Sequence, residues 1–276
     1  MKMGIFVKAF VGLACAASLL FGQAAAPVAK QPKPKSPKEV EAVMAMFNAQ
    51  EPDARIAAAN ELVLKFADTE FKELAMLMVA LSYQQKNDAE NMILYAERTL
   101  ESNPQNYQAM LMIAEALAQR TRENDLDREE KLVRSEKLAK GAMEAINKAA
   151  KPRADVTDEQ WTGAKKDFAA QAHQALGMGA MVRKKYDVAI TELKTATEVG
   201  TQPDPATMVR LGAVYNLAGK PDEAIAVLDK VMTTPELHPT IRQFAQAEKV
   251  RAIQAKGGGA KPAAPANAPS QVEIKK

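Results

Sequence analysis

The chain has 276 residues, 47% of them hydrophobic but only 5% aromatic, and its formal charge of +3 is built from interspersed residues of both signs. Apolar content dominated by Ala, Leu, Val, Ile and Met suits close-packed helices and argues against a β-sandwich. The mixed charge lacks the basic stripe of a nucleic-acid binder, and the length allows one large domain or two small ones.

The first 24 residues read as an export signal that is cleaved. Lys2 and Lys8 supply a positive start, and AFVGLACAASLLF (9–21) is an apolar run too short to span a bilayer comfortably. Gly22 and Ala24 place small residues at −3 and −1 for a cut after Ala24; retention as a membrane anchor is the alternative. Cys15 lies inside the apolar run, which continues past it, and Gly12 stands where a lipoprotein signal needs a large aliphatic residue. Cleavage therefore leaves a chain without cysteine. Losing Lys2 and Lys8 lowers the net charge from +3 to +1. The expected location is the periplasm or the exterior of the cell.

Residues 25–37 form a Pro/Lys-rich linker, expected as an extended, solvated tether; its charge also suits contact with membrane or cell wall. From 38 to 256 the apolar residues recur at three and four, as in Ile56, Ala59, Leu62, Val63 and Phe66, and no strand pattern occurs. Breaks at Pro52, Pro104, Pro152, Pro203, Pro205 and Pro235 divide this region into segments long enough for helical hairpins. The tail, 257–276, is rich in Gly, Pro and Ala and is expected to be disordered.

Within the helical region LGMGAMVRKKYDVAITEL begins at Leu176, and LGAVYNLAGKPDEAIAVL follows 35 residues later at Leu211. Ala80 and Ala114 are 34 apart, and the Gly177/Gly212 and Ala189/Ala224 pairs are 35 apart. A small residue on the first helix of each hairpin lets the second cross closely. In 119–131 the expected tight turn is replaced by nine charged residues in thirteen, with a second helix resuming near Asp127. Thr157 and Gln160 have capping-box spacing at the start of the next helix, and 238–255 is expected to cap the array.

These repeats resemble the tetratricopeptide repeat. The match is fullest at 208–235, through Leu211-Gly212, Tyr215, Gly219, Ala224, Leu228 and Pro235. Weaker copies lie at 173–199 and 76–104, a fourth begins at Tyr107, and 38–67 is a degenerate hairpin. The resemblance implies an all-α, right-handed superhelical solenoid of antiparallel hairpins with one irregular, extended repeat.

No catalytic, metal or cofactor constellation stands out, so a non-enzyme without cofactors is expected. DLDREE (125–130) lacks the glycine and final Glu of a calcium loop and reads as a solvated helix start. His173 and His238 are too isolated for zinc; His173 is expected to be a packing residue. Arg183-Lys184-Lys185 is expected as exposed loop, and Trp161 as core or interface. The resemblance implies a concave groove for a protein or peptide partner. Its positions correspond to Leu77, Leu81, Gln84, Leu111, Glu115, Ala118, Gln174, Met178, Met181, Val209, Ala213 and Asn216, an apolar, Met-bearing surface. The Lys, Asn and Arg that grip a chain-terminal carboxylate in some members are missing. The chain's own helices or self-association could instead fill part of the groove. Function is thus expected to be that of an exported scaffold in an envelope-assembly or secretion complex, the alternative being a structural component tethered to membrane or wall.

Overall fold

The structure is a computed structural model and describes residues 27–257. The export signal expected at 1–24 and the tail beyond Gly257 lie outside the described residues. The described chain is an all-α solenoid of eleven helices, each packed on the next. Five hairpins pair α1 (Pro37–Asn48) with α2 (Pro52–Lys65), α3 (Lys72–Gln85) with α4 (Ala89–Ser102), and α5 (Tyr107–Arg120) with α6 (Arg128–Lys148). They continue with α7 (Asp158–Val182) and α8 (Tyr186–Val199), then α9 (Pro205–Leu217) and α10 (Pro221–Met232); α11 (Pro239–Lys256) closes the array.

Local chemistry explains where these helices begin. Five open on proline within the first turn, where the missing N–H costs nothing. Asp88, Asn106 and Asp204 accept from the backbone N–H three residues on, at 3.1, 2.9 and 2.9 Å. Thr157 and Gln160 form the expected capping box, their two hydrogen bonds measuring 3.1 and 3.0 Å.

The hairpin crossing recurs with a fixed spacing. Gly177 packs on Leu193 and Gly212 on Leu228, while the corresponding Ala80 and Ala96 are both fully buried. The first helices of these three hairpins, α3, α7 and α9, then end in the same way. Asn87, Lys184 and Gly219 adopt positive φ, and the next N–H reaches back to Tyr83, Ala180 and Tyr215 carbonyls, each at 2.9 Å.

The α5–α6 hairpin breaks this rhythm, as its charged loop suggested. No left-handed residue follows α5; Thr121 stops it instead, its Oγ1 donating to the Leu117 carbonyl at 2.6 Å. The contact facing Ala114 is supplied by Ser135, whose Oγ donates to the Ala114 carbonyl at 2.7 Å. Helix α6 is then 21 residues long and α7 is 25, so α7 packs against α5, α6 and α8 together.

Two expectations about charged segments are corrected. Residues 27–35 are extended, but they are not a free tether. Val28 bridges to Lys151, with Ala29 N–H donating to the Lys151 carbonyl at 2.8 Å and Lys151 N–H to the Pro27 carbonyl at 2.7 Å. Lys33 N–H then reaches Glu70 at 3.2 Å, and Lys35 Nζ reaches the Asp68 carboxylate at 2.7 Å. A proline-rich strand has few donors to satisfy, so a few such bonds suffice to lay it from the α6–α7 connection to the α2–α3 connection. The second correction concerns Arg183, which is not plain exposed loop. Its guanidinium pairs with Glu129 at 2.8 Å and Glu136 at 3.3 Å, tying the α7–α8 turn to the start of the displaced α6. This pairing holds the Glu129 carboxyl below its ordinary range.

The two singled-out rings are placed as core or packing residues. Trp161 is buried, and His173 is half-buried with Nδ1 2.7 Å from Glu192.

Candidate functional site

A cavity of about 1060 Å³ lies across the first helices of four successive hairpins. Helix α3 contributes Leu81, Gln84 and Gln85; α5 contributes Gln108, Met112, Glu115 and Gln119; α7 contributes Phe168, Gln171 and Gln174. The start of α9 closes it with its N-cap Asp204, Ala206 and Arg210. Arg120, at the end of α5, and Arg122, in the irregular loop, border it.

The structure divides the expected groove residues into two sets. Leu81, Gln84, Glu115 and Gln174 line the cavity together. Leu77, Leu111, Met181 and Val209 instead belong to hydrophobic core clusters, and Ala118, Met178 and Ala213 are buried. Asn216 is held by α11, its Nδ2 donating to the Glu248 carbonyl at 2.9 Å and to Glu248 Oε2 at 3.0 Å. The methionines on the cavity wall are Met92 and Met112, not the expected Met178 and Met181, and they stand among amides and charged groups. The reason is packing around α7, where three neighbours leave Met178 and Met181 no open face. At the other end, the capping helix has already taken Asn216.

A short hydrogen-bonded relay organises the polar wall. Asp204 Oδ2 accepts from Thr207 N–H at 2.9 Å and from Thr207 Oγ1 at 2.7 Å. Thr207 Oγ1 also lies 2.8 Å from Gln174 Oε1, its one proton being shared between that oxygen and Asp204, and Gln174 Nε2 donates to Glu115 Oε1 at 3.4 Å. This relay orients Gln174 and links α5, α7 and α9 at the cavity floor.

Arg210 stands beside it and was not among the expected residues. Its side chain is 4% exposed, and its Nε has no hydrogen-bond partner. Burial pulls its pKa down from the usual arginine value, while Glu115 and Asp204 pull it back up. A signal for it did exist in the sequence: PATMVRLGAVYNL has no other charged residue. A single charge inside an apolar helix needs a partner or a function.

Comparison with known proteins agrees with this architecture. Residues 175–234 match the family model described as "Tetratricopeptide repeat". The fold is that of a tetratricopeptide-repeat solenoid. A solved tetratricopeptide-repeat protein of Thermus thermophilus, TTC0263, is similar over 77% of this chain and 96% of its own, at 15% identity and a TM-score of 0.52. The assembly chaperone of RpL4, Acl4, covers 82% of this chain and 99% of its own at 11% identity and a TM-score of 0.43. No curated protein matches the sequence. The cavity lies along the first helices α3, α5, α7 and α9, with Ala89 and Met92 of α4 at its edge.

Proposed function

We propose that this chain is an exported, non-enzymatic scaffold that binds a segment of a partner protein in its concave groove. The observation that carries this reading is the cavity itself, which is continuous across α3, α5, α7 and α9. Single helices bury their apolar face between neighbours, so a groove shared by four of them can hold a chain without unpacking the core. Its lining supplies hydrogen-bonding groups suited to a polypeptide and no assembled nucleophile or general base.

Export rests on the sequence of the first 24 residues, and it places the chain in the periplasm or outside the cell. An envelope-assembly or secretion complex is the setting that fits such a scaffold. The alternative of a tethered structural component is disfavoured because residues 27–35 are bonded along the solenoid rather than free to reach a surface.

Crosslinked pull-down from the native envelope tests the reading. Wild-type protein should capture one partner in stoichiometric yield, and Gln171→Glu with Gln84→Glu should lose it while keeping helicity. Capture that survives both substitutions would place the interface elsewhere.

A further inference from the structure

We propose that residues 27–35 act as a brace of fixed length that sets the opening of the groove, and with it the affinity of the chain for its partner. This rests on the groove reading above and names how that site is regulated.

The first observation is where the brace is anchored. Helices α2, α4 and α6 end, and α3, α5 and α7 begin, along one edge of the solenoid. The brace grips this edge at two places that are two hairpins apart. At the α6–α7 connection it exchanges main-chain hydrogen bonds with Lys151, and the Gln31 carboxamide donates to the Pro152 carbonyl. The Lys151 side chain pairs in turn with Asp158, in the first turn of α7, at 2.8 Å. At the α2–α3 connection, Lys33 N–H donates to Glu70, and Lys35 Nζ donates to the Asp68 carbonyl and carboxylate at 2.6 and 2.7 Å. Lys35 N–H also donates to Glu39 at 2.6 Å, and the second oxygen of that buried carboxylate accepts from Thr69. The brace therefore ties the start of α3 to the start of α7.

The second observation is length. Val28 and Lys35 are seven residue steps apart. Extended chain covers about 3.3 Å per step, so the brace reaches about 23 Å at most. Packed helices lie about 10 Å apart, so first helices two hairpins apart need about 20 Å or more. The brace is close to taut. Pro27, Pro32 and Pro34 fix φ where another chain could coil and give slack.

The third observation is that the brace skips a hairpin. Other bonds on this edge join one connection to the next: Glu73, in the first turn of α3, accepts from Asn103 and Asn106 at 2.7 Å each. A solenoid curves by small rotations that accumulate from repeat to repeat. A taut tie across two repeats limits their sum. Leu81 and Gln84 of α3 line the same cavity as Gln171 and Gln174 of α7. Holding α3 and α7 at a set separation spares the partner the ordering of its own site.

Spin-label distances on the full chain test this, with Cys15→Ser so that only introduced cysteines react. One pair, Gln84→Cys with Gln171→Cys, crosses the braced part of the groove. The other, Gln171→Cys with Gln243→Cys on α11, lies beyond it. Four glycines inserted between Gln31 and Pro32 add about 13 Å of slack and leave both anchors in place. The expected result is a narrow first distribution that broadens to longer distances by about 5 Å or more once the slack is present, with the second pair unchanged. Crosslinking of the partner through a photoreactive residue at Gln171 in the native envelope should then fall about threefold or more. Removing residues 27–34 should act in the same direction. A first distribution unaltered by both changes would overturn the proposal and leave the groove reading standing, as would broadening with undiminished crosslinking. Broadening of both pairs would also overturn it, by showing a general loosening of the solenoid. Absence of crosslinking at Gln171 in the wild type would overturn the groove reading itself, whatever the distances.

Discussion

Gly212 lies so close to Leu228 that a Cβ on the glycine would stand 2.7 Å from the leucine Cγ, and Gly177 stands in the same relation to Leu193 at 2.6 Å. No ordinary side chain can occupy either position without moving a buried leucine. Both leucines are fully buried, so they have nowhere to go.

Gly212→Ala should therefore overpack the α9–α10 crossing and destabilise by about 1–3 kcal/mol in thermal or denaturant unfolding. The cost should be strongly non-additive with Leu228→Ala, because shortening the leucine removes the obstruction. Additive effects would show that the two residues do not meet.

Gly219 is different in kind. Its φ is +72°, and nothing lies within 4 Å of the position a Cβ would take. Gly219→Ala should lose about 1 kcal/mol from backbone conformation alone, and no neighbouring truncation should rescue it. Full rescue by such a truncation would mean that crowding, not φ, is responsible.

Arg183→Met should weaken the tie between the α7–α8 turn and α6. The loss should not exceed about 1 kcal/mol, since Glu129 is largely in water. Because the folded Glu129 pKa is depressed, this stabilisation is present above the ordinary carboxylate range and disappears as pH falls through the lowered folded value. Melting temperatures of wild type and variant should converge below about pH 4 and stay apart at pH 7. A gap that persists in acid would assign Arg183 a packing role instead.

Removing residues 27–34 should free the Lys151 N–H from the Pro27 carbonyl. Hydrogen exchange at Lys151 should accelerate, while amides in α9 and α10 keep their protection. Unchanged exchange at Lys151 would show that the strap does not hold this connection.

The scaffold was legible in the sequence because its determinants are local. Gly212, Leu228 and Ala224 recur at fixed offsets, and Thr157 with Gln160 announces a helix start whatever surrounds it. The groove was only half legible, because exposure depends on which helices lie alongside. Met178 and Ala213 occupy positions that an idealised array leaves open. Here the lengthened α6 and α7 and the capping α11 change what each face meets. Residues 27–35 carried no periodicity, so their route along the solenoid could not be read from composition. Arg210 could have been singled out as the lone charge of α9, but its burial beside Glu115 and Asp204 is a property of the fold.

The most direct measurement of the central claim is site-specific photocrosslinking in the native envelope. A photoreactive residue at Gln171, on the cavity wall, should capture the partner, and one at Leu64, which is 85% exposed on α2, should not. Equal capture at both positions, or capture at Leu64 alone, would contradict binding in the concave groove.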